Sequence, residues 1–464
     1  MHTETISGTV AGVEGPGELR RVLASRHVSM ISFGGIIGAG LFVGSSVTIA
    51  AAGPAIVLSY LIAGTMVLLV MRMLSEMAVA LPHVRSFSDF ARVGLGDWAG
   101  FVCGWLYWYF WVIVVPVEAI AGAQLLQGWI ALPAWALGAI LMLVMTGINL
   151  MSARSYGEFE FWFALIKVSA IVAFILTAMA WVFGLTSNGA PTWSNLVSGG
   201  GFAPNGVRAV LAAVTSVFFA VVGAEITVVA AAESREPVRA VARMSTTVIS
   251  RILVFYVGSI FLIVTIVPWR EIVPGKSPFT AAMTAMHFTW ANSAMTFIIL
   301  TAVLSCLNSA YYVTSRTLFS LAARGDAPKA LVKLNGRGVP VRSVVMGSIA
   351  GLAGIAAATM SPQGVFKFLV NASGALVVVI YLLIAFAQVR LRRARSEADQ
   401  RALPVQMWLY PLSSYVAIAG MFIVLIAMAT TPSMRADFYA SALSVAVALV
   451  AAWLHGRRRV APPR

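Results

Sequence analysis

Charged residues are scarce in this chain. Asp, Glu, Lys and Arg together make up 11% of its 464 residues, whereas 60% are hydrophobic. Soluble globular domains carry about 25% charged residues, so the composition excludes that class. Apolar segments of about 20 residues, long enough to cross the hydrocarbon core of a bilayer, recur from one end of the chain to the other. The sequence therefore predicts a polytopic, all-α membrane protein.

Cysteine and histidine are also rare. Cys103 and Cys306 lie in separate apolar segments, which gives neither a disulfide framework nor metal-ligand spacing. The five histidines do not cluster and form no His-Glu-x-x-His motif, and neighbouring apolar segments carry no paired aspartates. We therefore expect no metal site, no bound cofactor and no enzymatic activity.

Acidic residues are few as well, 17 against 32 basic ones, and the net charge of +15 would suggest nucleic-acid binding in a soluble protein. Here most of the basic residues fall in short stretches on one side of the apolar segments, as they do in cytoplasmic loops. The charge therefore predicts topology, with both termini in the cytoplasm and no nucleic-acid partner. Residues 1–25 lack the apolar run and cleavage site of a secretory signal, so we expect the first span to direct insertion.

Twelve segments are predicted to span the membrane. They lie at roughly residues 28–50, 54–81, 98–127, 133–152, 160–184, 207–233, 247–268, 290–322, 343–360, 365–389, 407–430 and 437–455. If the first ten divide evenly, residues 26–184 and 207–390 form two inverted halves in which the first and sixth spans are equivalent. Helices eleven and twelve, residues 407–455, then lie outside the repeat, and residues 1–25 and 456–464 are cytoplasmic tails.

The stretch Gly34–Ser46, GGIIGAGLFVGSS, places five glycines inside the first predicted span. Glycine weakens helical preference and permits backbone angles that other residues rarely adopt. Within a bilayer, non-helical backbone is tolerated where it is buried in protein or lines a cavity, and transporters bind substrate carboxylates through the bare N–H groups of such interruptions. Small residues equally serve close helix packing. From these residues alone, the two interpretations stand equal.

The sixth predicted span has a similar pattern. Its stretch SVFFAVVGAEI places Gly223 and Glu225 in the middle of an apolar segment. Because an ionisable group inside a membrane is costly, we interpret Glu225 as a group that binds a substrate amine or the coupled proton, with an internal ion pair as the alternative. Phe219, four residues before Gly223, is interpreted as a gate over the substrate, with ordinary packing as the alternative.

Further charged residues lie within predicted spans, among them Glu118, Lys167 and Glu76. Glu118 follows Pro116, which removes a backbone hydrogen bond from the third span, and either acts on the proton or substrate or forms a buried pair. Lys167 is interpreted as a proton-coupling group, because a desolvated lysine loses its proton more readily; snorkelling to the inner interface is the alternative. Glu76 is predicted to pair with Arg72, one helical turn earlier.

Stretches along nearly the whole chain resemble the amino acid–polyamine–organocation superfamily, and within it the bacterial amino acid transporter family. They include RHVSMISFGGIIGAGLFVGSS, MRMLSEMAVALP, YGEFEFWFALIKV, GAEITVVAAAESREP, SCLNSAYYVTSRTLFSLAARGDAP, VFKFLVNASGA and MWLYP. GAGLFVGSS is similar to the first-helix signature of bacterial 4-aminobutyrate (GABA) permeases, whereas many α-amino acid permeases carry GTGLF followed by GSG. SCLNSAYY and MWLYP also favour the GABA permeases.

The resemblance implies two inverted five-helix repeats with two extra helices, in a bacterial inner membrane. It implies a secondary active transporter that works by alternating access. The family's membrane-embedded lysine maps to Lys167, which implies H⁺ rather than Na⁺ as the coupling ion. Glu225 and Glu118, from their positions inside the spans, are the other candidate proton-coupling groups. The resemblance maps a carboxylate site to the first span and amine-binding and gating positions to the sixth: Ile37, Gly38, Ala39, Gly40, Phe219, Ala220, Gly223 and Glu225.

Taken together, these observations predict proton-coupled uptake of a small zwitterionic amino acid, with GABA first. Ala39 stands where the α-amino acid permeases carry Thr and leaves more room near the substrate carboxylate. One alternative is a proton-coupled permease or exchanger for β-alanine, proline, an aromatic or a basic amino acid. Another, of a different class, is a transporter-like amino acid sensor. The sequence leaves the oligomeric state open.

Overall fold

The computed structural model describes residues 37–460, except 83, 85, 152, 187–188, 190–191, 227 and 229–250. Within those residues every regular element is helical. Eight helical stretches among them are long and apolar enough to cross a membrane, and three shorter apolar helices, Ala134–Asn149, Gly206–Val221 and Leu253–Ile266, accompany them. The predicted all-helical class is confirmed, whereas the number of crossings and the inverted repeat stay predictions.

Helices lie in each of the twelve predicted segments, although several begin or end some residues away from the predicted bounds. A π-helical segment, Gly40–Gly44, precedes the α-helix Ser45–Ala52, and a second one, Arg251–Gly258, precedes the α-helix Ser259–Ile266. In chain order the α-helices are α1 (Ser45–Ala52), α2 (Ile56–Ala80), α3 (Phe87–Leu95), α4 (Asp97–Leu126), α5 (Ala134–Asn149), α6 (Ala153–Val182), α7 (Gly206–Val221), α8 (Ser259–Ile266), α9 (Pro278–Ala285), α10 (Thr289–Ala323), α11 (Val341–Ala358), α12 (Pro362–Arg393), α13 (Glu397–Arg401), α14 (Leu412–Thr430) and α15 (Arg435–Val460).

Helix α4 lies at the centre of the bundle, where it packs against α10, α12 and several other helices. It is apolar on all sides, as a helix surrounded by protein requires, and Val115, Val117 and Ala119 are wholly buried. Helices α5 and α15 lie at the periphery, where Leu143 and Leu443 are 65% and 66% exposed. Such exposed leucines form the surface expected to face lipid.

The pairing predicted for Glu76 is wrong, although its structural role is confirmed. Glu76 forms a salt bridge with Arg392 of α12 at 2.5 Å and also accepts hydrogen bonds from Gln388 Nε2 and the Met407 N–H. Arg72 instead donates to the carbonyl of Gln406 at 2.7 Å. Contacts of α2 with α12 and with the residues before α14 therefore provide the partners of Glu76 and Arg72, and the predicted pair one helical turn apart does not form.

A second charged network joins α3, the start of α4 and the loop after α10. Arg92 lies 2.7 Å from Asp97 and also pairs with Asp326, while Arg324 pairs with Asp89 at 2.5 Å. Burial raises the pKa of Asp89, against the opposing effect of Arg324 and Arg92. This network fixes α3 against the end of α10 on the side of the bundle that the basic loops occupy.

Candidate functional site

Two glycines of the first glycine-rich segment lie very close to atoms of neighbouring helices. A Cβ at Gly38 would lie 2.4 Å from Cys306 Cβ and 2.8 Å from Glu118 Oε1, and one at Gly40 would lie 2.8 Å from Ala220 Cα. Close approach therefore accounts for these two glycines. Ile37 and Gly38 precede the first helical segment, which begins at Ala39. The glycine-rich stretch therefore combines tight packing with non-helical backbone. The residues before Ile37, including Gly34 and Gly35, lie outside the described part.

The sixth predicted span breaks beside Gly223. Helix α7 ends at Val221, Val222 is extended, and Gly223 has a φ of 119°. A side chain is strained at that angle, so the glycine permits the break. Ala224 and Glu225 form a turn directly after it. Because Gly40 packs on Ala220, this break lies against the start of the first helical segment.

Glu225 is wholly buried and binds the backbone of its own break. Its Oε2 accepts from the Gly223 N–H at 3.0 Å and from the Tyr381 hydroxyl at 3.0 Å. A carboxylate that accepts a backbone N–H stabilises a helix break of this kind, because it bonds an N–H group that the break leaves without a helical partner. Glu225 thus connects the break to α12 and places a buried carboxylate close to the start of the first helical segment.

Glu118 of α4 performs the corresponding role at the first segment. The Ala39 N–H donates to both of its carboxylate oxygens, at 2.9 and 3.1 Å, and Glu118 is only 1% exposed. Bonds from backbone N–H groups to carboxylates are among the stronger hydrogen bonds in proteins. One of the N–H groups that the sequence assigned to the substrate carboxylate is therefore bonded to a side chain of the protein.

Lys167 is wholly buried and does not reach the interface. Its Nζ donates to Ser305 Oγ of α10 at 2.7 Å and lies 3.5 Å from Glu160 Oε1. The sequence analysis missed Glu160, because it placed the start of the fifth span at residue 160 whereas α6 begins at Ala153. The available signal was the spacing: residues seven apart lie on the same face of a helix.

Phe219 packs inside the bundle and is 7% exposed. Its ring meets the Phe110 ring edge to face at a centroid distance of 6.4 Å, and Phe110 meets Trp111 in the same way at 5.3 Å. Phe219 also lies beside the first segment, since a Cβ at Gly40 would be 3.2 Å from its Cδ1. These contacts are compatible with both a gate and ordinary packing.

The structure thus gathers the predicted residues where the start of the first helical segment meets the break beside Gly223. All eight residues assigned to the substrate are buried: Ile37, Gly38, Ala39, Gly40, Phe219, Ala220, Gly223 and Glu225. Lys167 joins them through α10, because its partner Ser305 is the neighbour of Cys306, which lies against Glu118.

A cavity of about 370 Å³ lies one turn of α7 away from Phe219, on the side of the bundle opposite the Asp89–Arg92 network. Its lining includes Ser216, Asn371 and Lys367.

Comparisons with known proteins identify the family of the chain. The family model described as amino acid permease matches residues 27–462. The chain is 43% identical over 444 residues to the gamma-aminobutyric acid permease of Bacillus subtilis, an alignment that covers 95% of each protein. It is 45% identical to the probable GABA permease of Pseudomonas aeruginosa, over 94% of this chain and 93% of that one. The aromatic amino acid transport protein of Corynebacterium glutamicum is 37% identical, over 89% of this chain and 90% of that one.

Among solved structures, a mutant of the Eremococcus coleocola manganese transporter has a TM-score of 0.57 and 12% sequence identity, and the superposition covers 93% of this chain and 94% of that one. At that identity the likeness shows the fold alone. The family is shown by the sequence matches over almost the full length, in a chain whose apolar helices place it in a membrane as a multi-pass protein. The chain belongs to the amino acid permease family.

Proposed function

We propose that the protein is a secondary active transporter that takes up 4-aminobutyrate together with protons. The observation that carries the proposal is the meeting of the first helical segment, at Gly40, with the broken sixth span, at Ala220. A buried carboxylate is bonded to the backbone of each, and a buried lysine lies one helix away. Interrupted helices at the middle of a membrane bundle are where secondary transporters bind substrates and coupling ions. The relatives named GABA permeases, at 43–45% identity, support GABA as the substrate.

In this proposal the two breaks divide the recognition of a zwitterion. The N–H groups at the start of the first helical segment, around Gly38 and Gly40, bind the substrate carboxylate. At the sixth-span break, the carboxylate of Glu225 faces the ammonium group. In GABA, three methylenes separate the carboxylate from the ammonium group. The small side chain of Ala39 leaves the space that this longer substrate requires. Phe219 closes over the substrate, and the cavity beside Ser216 and Lys367 is the entry from outside.

We further propose twelve membrane crossings, with two inverted five-helix repeats and two additional helices. Helices lie in all twelve predicted segments, and the basic loops gather on one side, which supports cytoplasmic termini in a bacterial inner membrane. The proposed coupling ion is H⁺, because the buried ammonium of Lys167 places a cation of the protein itself inside the bundle. Neither a catalytic reaction nor a cofactor is part of the proposal.

An aromatic amino acid is the second candidate substrate, favoured by the 37% identity to an aromatic amino acid transport protein. The structure favours the smaller substrate. The ring of Phe219 lies beside the first segment and packs on Phe110, so an aromatic substrate at this position would have to displace it.

Uptake by the purified protein in proteoliposomes tests the proposal. Labelled GABA is supplied with and without an inward proton gradient, and unlabelled GABA, β-alanine, proline, phenylalanine and lysine serve as competitors. We expect gradient-dependent accumulation that GABA abolishes and the α-amino acids spare. Accumulation of labelled phenylalanine, with GABA ineffective as a competitor, would overturn the substrate and retain the fold.

A further inference from the structure

Glu160 is a buried carboxylate to which neither the sequence analysis nor the proposed transport cycle assigns a role. It is wholly buried on α6, seven residues before Lys167 on the same face. The Ser305 hydroxyl of α10 donates to its two oxygens at 2.7 and 2.8 Å, and the Ser309 hydroxyl donates to Oε2 at 3.2 Å. Ser305 in turn accepts from Lys167 Nζ, so one hydroxyl bridges the two charged groups.

The charges around Lys167 come from three helices. Glu160 and Tyr156 lie on α6 itself, with the Tyr156 hydroxyl 3.1 Å from Ser309 Oγ. Cys306 of α10 and Glu118 of α4 lie on the other side, and the charge of Lys167 acts on both. Arg316 of α10, one turn beyond Tyr312, acts on Tyr156. Glu160 is the carboxylate in direct ion-pair distance of the lysine, at 3.5 Å.

A buried ammonium is unstable unless an opposite charge and hydrogen-bond acceptors replace its hydration. Glu160 and Ser305 provide both. Removing the proton from Lys167 while this arrangement is intact would leave the Glu160 carboxylate without its cation in a site that water does not reach, which is strongly unfavourable. The protonated state of Lys167 therefore depends on the contact between α6 and α10, which places Ser305 between Lys167 and Glu160.

We propose that Glu160 is the charge partner that controls when Lys167 binds and releases the coupled proton. The inference rests on the proposed proton coupling. When α10 withdraws Ser305 and Ser309, water enters and weakens the attraction between the two charges. An N–H bond of the ammonium then breaks, the electron pair stays on Lys167 as a neutral amine, and the proton passes to water. Glu160 is thus a positioning residue that makes proton release depend on helix movement.

The test is the pH dependence of GABA counterflow, an exchange of labelled for unlabelled substrate that needs the protonated carrier and no proton gradient. In wild-type proteoliposomes the rate falls as pH rises and Lys167 loses its proton. In Glu160→Gln the midpoint of this fall moves to lower pH by at least 1 unit, about a tenfold weaker proton affinity. In Ser305→Ala it moves in the same direction by less. Asp437→Asn, which removes a different buried carboxylate, leaves the midpoint unchanged.

An unchanged or higher midpoint in Glu160→Gln would overturn the inference. If Glu160→Gln folds but is inactive at every pH, the charge-retaining Glu160→Asp decides: activity with the wild-type midpoint supports the proposal, and inactivity of both variants contradicts it. A wild-type rate that does not depend on pH would instead contradict the proton coupling itself. If labelled phenylalanine exchanges and GABA does not, the same variants are tested with phenylalanine.

Discussion

Replacing Gly38 by alanine tests whether close approach of the first segment is required for transport. The new Cβ would lie 2.4 Å from Cys306 Cβ, which is fixed to the backbone of α10 and cannot rotate away, and 2.8 Å from Glu118 Oε1. Gly38 shows no positive φ, so alanine suits its backbone angles and the effect is steric. Either the segment moves away from α10, or Glu118 moves and loses its bonds to the Ala39 N–H, at 2.9 and 3.1 Å.

The magnitude follows from these contacts. Overpacking a filled core costs about 1–3 kcal/mol. Loss of a hydrogen bond to a charged group costs about 1.5–3 kcal/mol. A cost of about 1.4 kcal/mol corresponds to a factor of ten in an equilibrium constant. If the contact of the first segment with α10 forms again in each transport cycle, we expect Gly38→Ala to lower GABA uptake at least tenfold.

Labelled GABA uptake at equal amounts of reconstituted protein is the assay, with size-exclusion chromatography to confirm the fold. Gly147→Ala on α5 is the matched control, because a Cβ there would have no neighbour within 4 Å, and it keeps wild-type uptake. The double variant Gly38→Ala/Cys306→Gly removes the opposing Cβ and recovers part of the activity. Wild-type uptake by Gly38→Ala would refute the steric argument.

Three other substitutions, one of them with a matched control variant, test separate parts of the account. Ala39→Thr reduces the room near the substrate carboxylate and should shift competition from GABA toward α-amino acids; an unchanged preference would count against the assignment. Glu76→Gln removes the charge that Arg392 binds and should destabilise the protein by about 3 kcal/mol, seen as a lower thermal midpoint in detergent. Glu397→Gln, which breaks an exposed pair, should leave that midpoint unchanged. Phe219→Ala should raise the KM for GABA if the ring closes over the substrate, whereas a role in packing alone would lower stability and leave KM unchanged.

The sequence was sufficient to predict the features that depend on local chemistry. Apolar length predicted the positions of the helices, and a glycine beside a charged residue in mid-span predicted the break at Gly223, where the φ of 119° permits the end of α7. Burial of Glu118, Glu225 and Lys167 is likewise a consequence of their position in long apolar segments.

The partners of these groups could not be predicted, because they come from distant parts of the chain. Glu76 pairs with Arg392, 316 residues away, rather than with its helical neighbour. The bond from the Ala39 N–H to Glu118 joins residues 79 apart, and periodicity contains no information about it. Glu160 was missed for a different reason: an error of seven residues in the start of one helix moved a buried carboxylate to the predicted membrane surface.

The most direct test of the central claim is to follow protons and substrate together. Proteoliposomes that enclose a pH-sensitive dye are given external GABA, with no pH gradient at the start and with the membrane potential clamped. Proton-coupled uptake predicts that GABA acidifies the lumen of wild-type vesicles, and that Lys167→Met vesicles, which lack the buried ammonium, show no acidification. Accumulation of labelled GABA in wild-type vesicles without a change in internal pH would contradict the account.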